Sequence, residues 1–319
     1  MTRGDAGYTL IELLVAAALT LLLTAITCHV LVEVRATIDA GAGRADVQQR
    51  ARVALDTLSV RIRGAGAGPA RSSTPFRLVY WGPPLSPGRP GGSASEFSTA
   101  VTAFEALTSV PPATLAFDAP AGTPTLDFDY TAGCPPPCGF FDRMTVLVAD
   151  GVGDFDLFVL TTINGSSATV RRLDLGTGGS YARGSPAVPV DVHAYYLNER
   201  SRELRVFDGD RSDLPVVTDV VALSFEYTVE RADGTLGPLD AAMLQDGPWC
   251  GAGSQPFDAD LLRIRAVRVT LRVQVGDQAL RGSNSIWFRN PGTAVESARM
   301  VKDVTLRTSI TPPNLGAWR

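Results

Sequence analysis

The first part of the chain is a nearly unbroken apolar run that is long enough to cross a bilayer as a helix. Residues 13–32 contain no acidic or basic side chain other than His29, and about 20 apolar residues span the hydrocarbon core. We therefore predict a membrane-spanning helix over residues 8–34. One carboxylate, Glu12, stands at the entrance of this run, although an ionised carboxylate in hydrocarbon costs about 2.5–3.5 kcal/mol.

Residues 35–63 continue the helix with an amphipathic pattern. Apolar side chains recur there at steps of three and four, which is typical of a helix that packs one face on a domain; they are Val47, Ala51, Ala54, Leu55, Leu58 and Ile62. Gly64 and the glycines after it end the helix. Gly41 and Gly43 each weaken a helix by about 1 kcal/mol relative to alanine. We therefore expect a flexible joint between the two halves.

From about residue 76 the pattern predicts strands, as short β-branched or alternating runs separated by Gly, Pro, Asn and Asp. Residues 267–275 alternate between aliphatic and polar side chains, which is typical of an antiparallel strand with one wet face. Strands after one long helix indicate an α+β fold, in which the helix packs on an antiparallel β-sheet domain over residues 64–319. Loop-rich insertions are expected, among them the exposed stretch GPPLSPGRPGGSAS, residues 82–95.

Composition and candidate chemistry argue against an enzyme. The 319 residues are 45% hydrophobic and 19% charged, with a net charge of -4, so the chain is neither disordered nor suited to nucleic acid. Two histidines, His29 and His193, are too few for a histidine-based triad or metal cluster. Asp150, Asp154 and Asp156 are weak calcium candidates, but their spacing fails the EF-hand pattern. We expect a solvated loop there, no metal and no cofactor.

Three of the four cysteines are candidates for a disulfide, which suits an oxidising compartment. Cys28 lies inside the apolar run and is expected to be a small packing residue. Cys134 and Cys138 flank three prolines, which would hold their Cα atoms about 12 Å apart in a polyproline II conformation. A disulfide needs no more than about 7 Å. These two cysteines can therefore pair only if a cis proline or a turn bends the loop; otherwise one of them pairs with Cys250.

The stretch AGYTLIELLVAAALT resembles the processing site of type IV prepilins and type II secretion pseudopilins. That site has a short leader ending in glycine, an aromatic residue, Thr-Leu-Ile-Glu and a hydrophobic helix. The resemblance implies that a prepilin peptidase removes the leader, residues 1–7, by cutting between Gly7 and Tyr8, and N-methylates Tyr8. It also implies that Glu12 pairs with the α-amine of an adjacent subunit, which would remove most of the cost of burying its charge.

Later segments resemble the PilW family of minor pilins, whose secretion relative is pseudopilin J. The likeness covers residues 46–69, 215–230, 264–275 and 301–310, whereas residues 72–142 show none. It implies a bacterial inner-membrane protein with a periplasmic domain that enters a pilus or pseudopilus. The implied partners are other minor and major pilins or pseudopilins, prepilin peptidase and the inner-membrane assembly platform. Two alternatives remain: a J-like secretion pseudopilin, and a tip adhesin or binding module that presents residues 72–133.

Overall fold

The computed structural model describes residues 9–66, 71–74, 77–79, 82–89, 94–151 and 153–316. The chain divides into two compact units. Unit 1 is Met1–Gln49 with Gln274–Asp303, and unit 2 is Arg50–Val273 with Val304–Arg319. One α-helix, α1 (Leu10–Gly64), supplies residues to each unit. It ends at the glycine where the sequence predicts a stop.

The remaining elements of the described residues are short strands and 3-10 helices. In chain order the strands are β1 (Arg71–Thr74), β2 (Arg77–Val79), β3 (Leu85–Pro87), β4 (Ala100–Ala106), β5 (Ala113–Leu115), β6 (Thr125–Asp129), β7 (Thr145–Ala149), β8 (Phe155–Asn164), β9 (Ser167–Arg172), β10 (Pro186–Asn198), β11 (Glu203–Phe207), β12 (Asp213–Val217), β13 (Val220–Glu230), β14 (Leu236–Pro238), β15 (Trp249–Cys250), β16 (Phe257–Asp258), β17 (Ile264–Val273) and β18 (Val304–Ile310). The 3-10 helices are Ala94–Ser98, Ala241–Gln245, Ala259–Arg263, Gln278–Leu280, Ser297–Arg299 and Pro313–Gly316.

In unit 1, the segment Gln274–Asp303 packs on α1 at a helix glycine. A Cβ atom added to Gly43 would lie 3.1 Å from Cδ1 of Leu280 and 3.4 Å from Cγ2 of Val301. One residue further along, Arg44 donates to the carbonyl oxygens of Ala298 at 3.1 Å and Met300 at 3.3 Å. The segment therefore follows the helix closely because one helix position carries no side chain.

The same segment is organised around a fully buried arginine, Arg281. Its guanidinium donates to Oε1 of Gln274 at 3.0 Å and to the carbonyl oxygens of Asn290 at 3.2 Å and Gly276 at 3.3 Å. Buried charged groups require such partners, because an unsatisfied donor would be strongly destabilising.

Unit 2 contains an antiparallel sheet of four strands in the order β14-β13-β17-β18. On β17, Val267, Val269 and Leu271 are fully buried, whereas the intervening Arg268 is exposed. The alternation predicted from the sequence is therefore present, because successive side chains of a strand point to opposite faces.

The part of α1 in unit 2 is amphipathic and buries one stripe. Ala51, Ala54, Leu58 and Ile62 are fully buried, as expected from their spacing of three and four residues. An ion pair between Arg50 and Asp219, at 2.9 Å, links this part of the helix to the chain just before β13. The predicted α+β fold, with one long helix packed with an antiparallel sheet domain, is confirmed.

A second feature of unit 2 is a ring of six antiparallel strands. The pairings run β10-β5-β6-β9-β8-β7 and return from β7 to β10. Ala187 of β10 is the point of closure, because it is paired with Ala113 of β5 and with Val148 of β7. The other half of β10 belongs to a sheet with β4, β3, β11 and β12. A closed ring leaves no unpaired edge on these strands.

Alternate side chains of the ring strands form two hydrophobic cores. On β7, Val146 and Val148 join one core together with Phe128, whereas Leu147 joins the other core together with Phe104. The first core takes residues from all six ring strands and fills the ring, as expected for a small closed barrel.

The structure corrects two expectations and adds one strand. Within residues 82–95, the described part includes strand β3, whose Leu85 is fully buried, so this stretch is not simply an exposed loop. Strand β4, which the sequence pattern did not reveal, pairs with β3 and β10 and has five consecutive buried residues, so both of its faces are covered. The expected joint at Gly41 and Gly43 is continuous helix, and Gly43 is buried.

Candidate assembly site at the start of the helix

The carboxylate of Glu12 accepts hydrogen bonds from Thr9, the residue directly before α1. Its Oε2 accepts hydrogen bonds from the backbone N–H of Thr9 at 2.8 Å and from the Thr9 hydroxyl at 2.9 Å. In return, the Glu12 N–H donates to Oγ1 of Thr9 at 3.3 Å. This reciprocal arrangement of Thr-x-x-Glu is a capping box, which satisfies backbone donors that the first helical turn leaves open.

The capping box gives the Glu12 carboxylate two hydrogen-bond donors within its own chain. Thr9 is a functional residue that was not predicted, although the Thr-x-x-Glu spacing that marks a capping box is readable in the sequence. The predicted processing residues, Gly7 and Tyr8, lie outside the described residues.

Behind the capping box, α1 presents an apolar surface that no other described residue covers. It is the one helix in the described part of the chain that is long and apolar enough to cross a membrane, and its most apolar stretch is not buried. Thr20 and Thr24 turn their hydroxyls back to the carbonyl oxygens of Ala16 and Thr20, both at 2.7 Å. These bonds satisfy the hydroxyls within the helix, which a hydrocarbon environment requires.

The polar end of this surface carries a pair of side chains one turn apart. Nε2 of His29 lies 3.5 Å from a carboxylate oxygen of Glu33, and both side chains are exposed.

Small side chains lie on the apolar part of α1 at steps of about four, at Ala16, Thr20, Thr24 and Cys28. Such spacing allows another helix to approach closely in lipid.

The sequence leaves the pairing of the cysteines undecided, and in the structure the disulfide joins Cys134 and Cys138. Their Cα atoms are 5.3 Å apart, within the range that a disulfide needs. The loop turns between them, since the N–H of Cys138 donates to the carbonyl oxygen of Pro135 at 2.8 Å, and the Pro136–Pro137 peptide is cis. Cys250 and Cys28 are free thiols.

The weak metal candidates form hydrogen bonds with the chain itself. Oδ1 of Asp154 accepts from the N–H groups of Ala252 and Gly253, both at 2.9 Å. Oδ1 of Asp156 accepts from Nε of Arg172 at 3.0 Å and from the N–H of Gly178 at 3.1 Å. Burial raises the pKa of Asp156, and these two donors offset the rise in part.

Asp150 completes this group by accepting from the N–H of Asp154 at 2.9 Å. The acidic side chains therefore hold loops of unit 2 in place. Within the described residues there is no group of three or more His, Cys, Asp or Glu side chains arranged to hold a metal ion.

Comparison with known proteins identifies the N-terminal region alone. The model of the prokaryotic N-terminal methylation motif matches residues 2–27, a stretch that includes Thr9 and Glu12. Searches of curated proteins and of solved structures gave no match. The apolar helix and the motif fit an inner-membrane anchored protein. The motif indicates a type IV pilin-like or pseudopilin protein that is processed by prepilin peptidase.

Proposed function

We propose that this protein is a minor pilin of a type IV pilus and acts in pilus assembly, as a structural protein rather than an enzyme. It is made as an inner-membrane prepilin, cut between Gly7 and Tyr8, methylated at Tyr8, and placed in the filament or its initiating tip complex with other pilins. The observation that carries this proposal is the Glu12 capping box at the start of an uncovered apolar helix, inside a methylation motif.

We infer that Glu12 has two successive partners, Thr9 before assembly and an adjacent subunit afterwards. In the membrane-inserted subunit, Thr9 supplies two hydrogen bonds to the carboxylate, but these leave its charge uncompensated. In the assembled state, the terminal ammonium of an adjacent subunit would neutralise that charge, which removes most of the penalty of an unpaired ion in a low-dielectric surrounding. The carboxylate thus favours assembly in the one register that brings an ammonium to it.

Substitution of Glu12 separates the capping role from the charge-pairing role. Glutamine can still close a capping box but cannot neutralise an ammonium, whereas Glu12→Asp keeps the charge on a shorter side chain. We expect Glu12→Gln and Glu12→Ala to lower incorporation into filaments about tenfold or more, since a buried charge left unpaired costs about 3–5 kcal/mol. Immunoblotting of sheared filaments against whole-cell protein measures the ratio.

The control for this experiment is Thr9→Ala, which weakens the cap but leaves the carboxylate, and we expect it to retain incorporation. Normal incorporation of Glu12→Gln would show that the acid serves as a cap alone, and the assembly role would be abandoned. Processing is checked in the same samples by mass spectrometry of the mature N-terminus. An intact leader in cells that contain prepilin peptidase would refute the proposal.

A second candidate is a J-like secretion pseudopilin, because type II secretion pseudopilins carry the same type of motif. Minor-pilin genes beside this gene would favour the pilus, and secretion genes the pseudopilus.

The third candidate, a tip adhesin or binding module, rests on the six-strand ring and its disulfide-closed loop at Cys134–Cys138. Deletion of residues 72–133 is not a suitable test, because this stretch supplies the buried Leu115, Leu126 and Phe128. Replacing Pro135–Pro137 by serine changes the exposed loop instead. Lost adhesion with normal piliation would favour this candidate.

A further inference from the structure

Unit 2 contains four strands that lie at the edges of its two larger sheets. Each of them pairs with a single described neighbour; they are β3, β12, β14 and β18. An edge strand presents unpaired backbone N–H and C=O groups to other chains, so proteins commonly keep such strands short or place proline in them. β3, β12 and β14 are three to five residues long and contain Pro87, Pro215 and Pro238, respectively. Three of the four edges are therefore protected against pairing.

β18 lacks this protection. It is seven residues long, contains no proline or glycine, and pairs with β17 in an unbroken register, from Val304 opposite Val273 to Ile310 opposite Val267. Within the described residues, no strand pairs with its other side. A regular strand of this kind can accept a further strand through its backbone groups, which is a common mode of peptide recognition.

The side chains of β18 alternate between the two faces of the sheet. On the face that carries the buried side chains of β17, β18 contributes three half-buried side chains, Val304, Leu306 and Thr308. On the other face, its exposed side chains are Thr305, Arg307 and Ser309. An added strand would cover the half-buried row with side chains of its own and would place polar side chains beside the exposed row. The edge therefore fits a strand in which aliphatic and polar residues alternate.

Arg307 sets the charge that a neighbouring strand meets. It stands at the centre of β18, is exposed, and forms no ion pair with any described residue. Arg268 and Arg272 lie on the same face of β17, and Arg268 is already paired with Glu226 at 3.0 Å. Because opposite charges across strands stabilise a sheet and like charges destabilise it, the edge favours a strand with a carboxylate opposite Arg307. A second copy of β18 in antiparallel register would place Arg307 opposite itself.

We propose that β18 binds an extended segment of a different protein as a fifth strand of the four-stranded sheet. The segment has aliphatic side chains at alternate positions and a carboxylate opposite Arg307. Backbone hydrogen bonds supply the affinity, and the alternate side chains supply the specificity. The inference goes beyond the proposed function, because it concerns a partner of the folded domain and is the same for a pilus and a pseudopilus.

A probe strand fused to the full chain tests this edge in the purified protein. The probe, Ile-Thr-Val-Glu-Val-Thr-Ile, follows Arg319 after a flexible Gly/Ser linker of about 12 residues, whose r.m.s. length is about 20 Å. The linker keeps the probe at a millimolar effective concentration. Antiparallel pairing with β18 places the probe's glutamate opposite Arg307. One control probe carries lysine in place of that glutamate, and another carries proline in place of both valines and cannot pair.

Amide hydrogen exchange, followed by mass spectrometry, measures whether the probe pairs with β18. We expect slower exchange within residues 304–310 for the glutamate probe than for the proline probe, because paired backbone amides are protected. The lysine probe should protect this strand about two- to fivefold less than the glutamate probe, since like charges across strands are unfavourable. Arg307→Glu should reverse this preference. Arg183→Glu should leave it unchanged, because Arg183 is exposed outside the four-stranded sheet.

Photo-cross-linking then identifies the natural partner. Benzoylphenylalanine in place of Thr305 should give, in cells that make the protein, an adduct that maps to an alternating segment with aspartate or glutamate. The glutamate probe should abolish this adduct, and the proline probe should preserve it. Equal exchange with these two probes would overturn the inference, as would a missing adduct or an adduct with β18 of a second copy. None of these results depends on cleavage between Gly7 and Tyr8, so the proposed function is tested separately.

Discussion

At the residue scale, the acidic side chains show how one sequence pattern can serve two purposes. Carboxylates spaced two apart, such as Asp154 and Asp156, are as suited to backbone N–H groups as to a cation, because both are electropositive partners. In the structure Asp154 joins Ala252 and Gly253 to the start of β8. The partner lies about a hundred positions away, so spacing along the chain could not have revealed it.

His193 on β10 is a second residue whose behaviour is set by its surroundings. Burial lowers its pKa below the ordinary value of 6.5, and nearby Arg61 lowers it further, whereas Asp191, Glu105 and Asp208 raise it in part. Its Nε2 is buried and has no hydrogen-bond partner among the described residues. The folded protein therefore favours the neutral imidazole.

This lowered pKa predicts a loss of stability in mild acid. The unfolded chain binds the proton more readily than the folded chain, so the stability from a neutral His193 is complete above the ordinary pKa of about 6.5 and is lost as pH falls below it. Between pH 7.5 and 5.5, the free energy of unfolding in detergent should fall more for the wild type than for His193→Gln. The difference is at most about 1.4 kcal/mol per pH unit.

His29→Gln is the control, because it removes the other histidine of the chain, which lies in the apolar half of α1. It should follow the wild type across this range. Equal pH dependence of His193→Gln and wild type would show that protonation of His193 does not affect stability.

At the element scale, α1 contains a glycine whose missing side chain allows another segment to pack closely on the helix. Both Gly41 and Gly43 reduce intrinsic helix stability, and the sequence gives no sign of a difference between them. In the structure an added Cβ at Gly41 meets nothing within 4 Å, whereas at Gly43 it meets Leu280 and Val301. The packing of Gln274–Asp303 distinguishes two positions that are equivalent in sequence.

This difference predicts opposite effects of the same substitution. Gly41→Ala should stabilise the protein by up to about 1 kcal/mol through helix propensity. Gly43→Val should destabilise the packing of the segment by about 1–3 kcal/mol, the usual range for overpacking. Thermal unfolding in detergent measures both, and limited proteolysis within residues 277–300 should be faster for Gly43→Val. Equal behaviour of the two variants would contradict the close contact at Gly43.

At the scale of the whole molecule, the buried hydrophobic side chains and the exposed apolar side chains of the first part of α1 lie in different stretches of the sequence. Among the described residues, the buried hydrophobic side chains begin at Ala40, and large apolar side chains before it are exposed, from Leu10 at 77% to Val34 at 48%. The folded cores therefore do not depend on residues 9–34.

A fragment of residues 35–319 should accordingly stay folded in water without detergent. It loses exposed apolar surface and no described core residue, so its thermal midpoint should match that of the full chain in detergent. Circular dichroism and size-exclusion chromatography provide the measurements. Aggregation or a loss of β-sheet signal would mean that the helix start supports the fold directly.

Several features were determined by the sequence alone. The long helix, its stop at Gly64, the alternation in β17 and the place of Glu12 all depend on neighbours within a few residues, and local periodicity records such relations. The N-terminal motif is local for the same reason.

Only the tertiary structure decided the rest. Closure of the ring at Ala187, the choice of Cys138 as the partner of Cys134, the burial of β4 and the role of Gly43 all depend on which surfaces meet. Strands buried on both faces lose the alternation that marks a half-exposed strand. Long-range contacts of this kind leave no periodic trace in a single sequence.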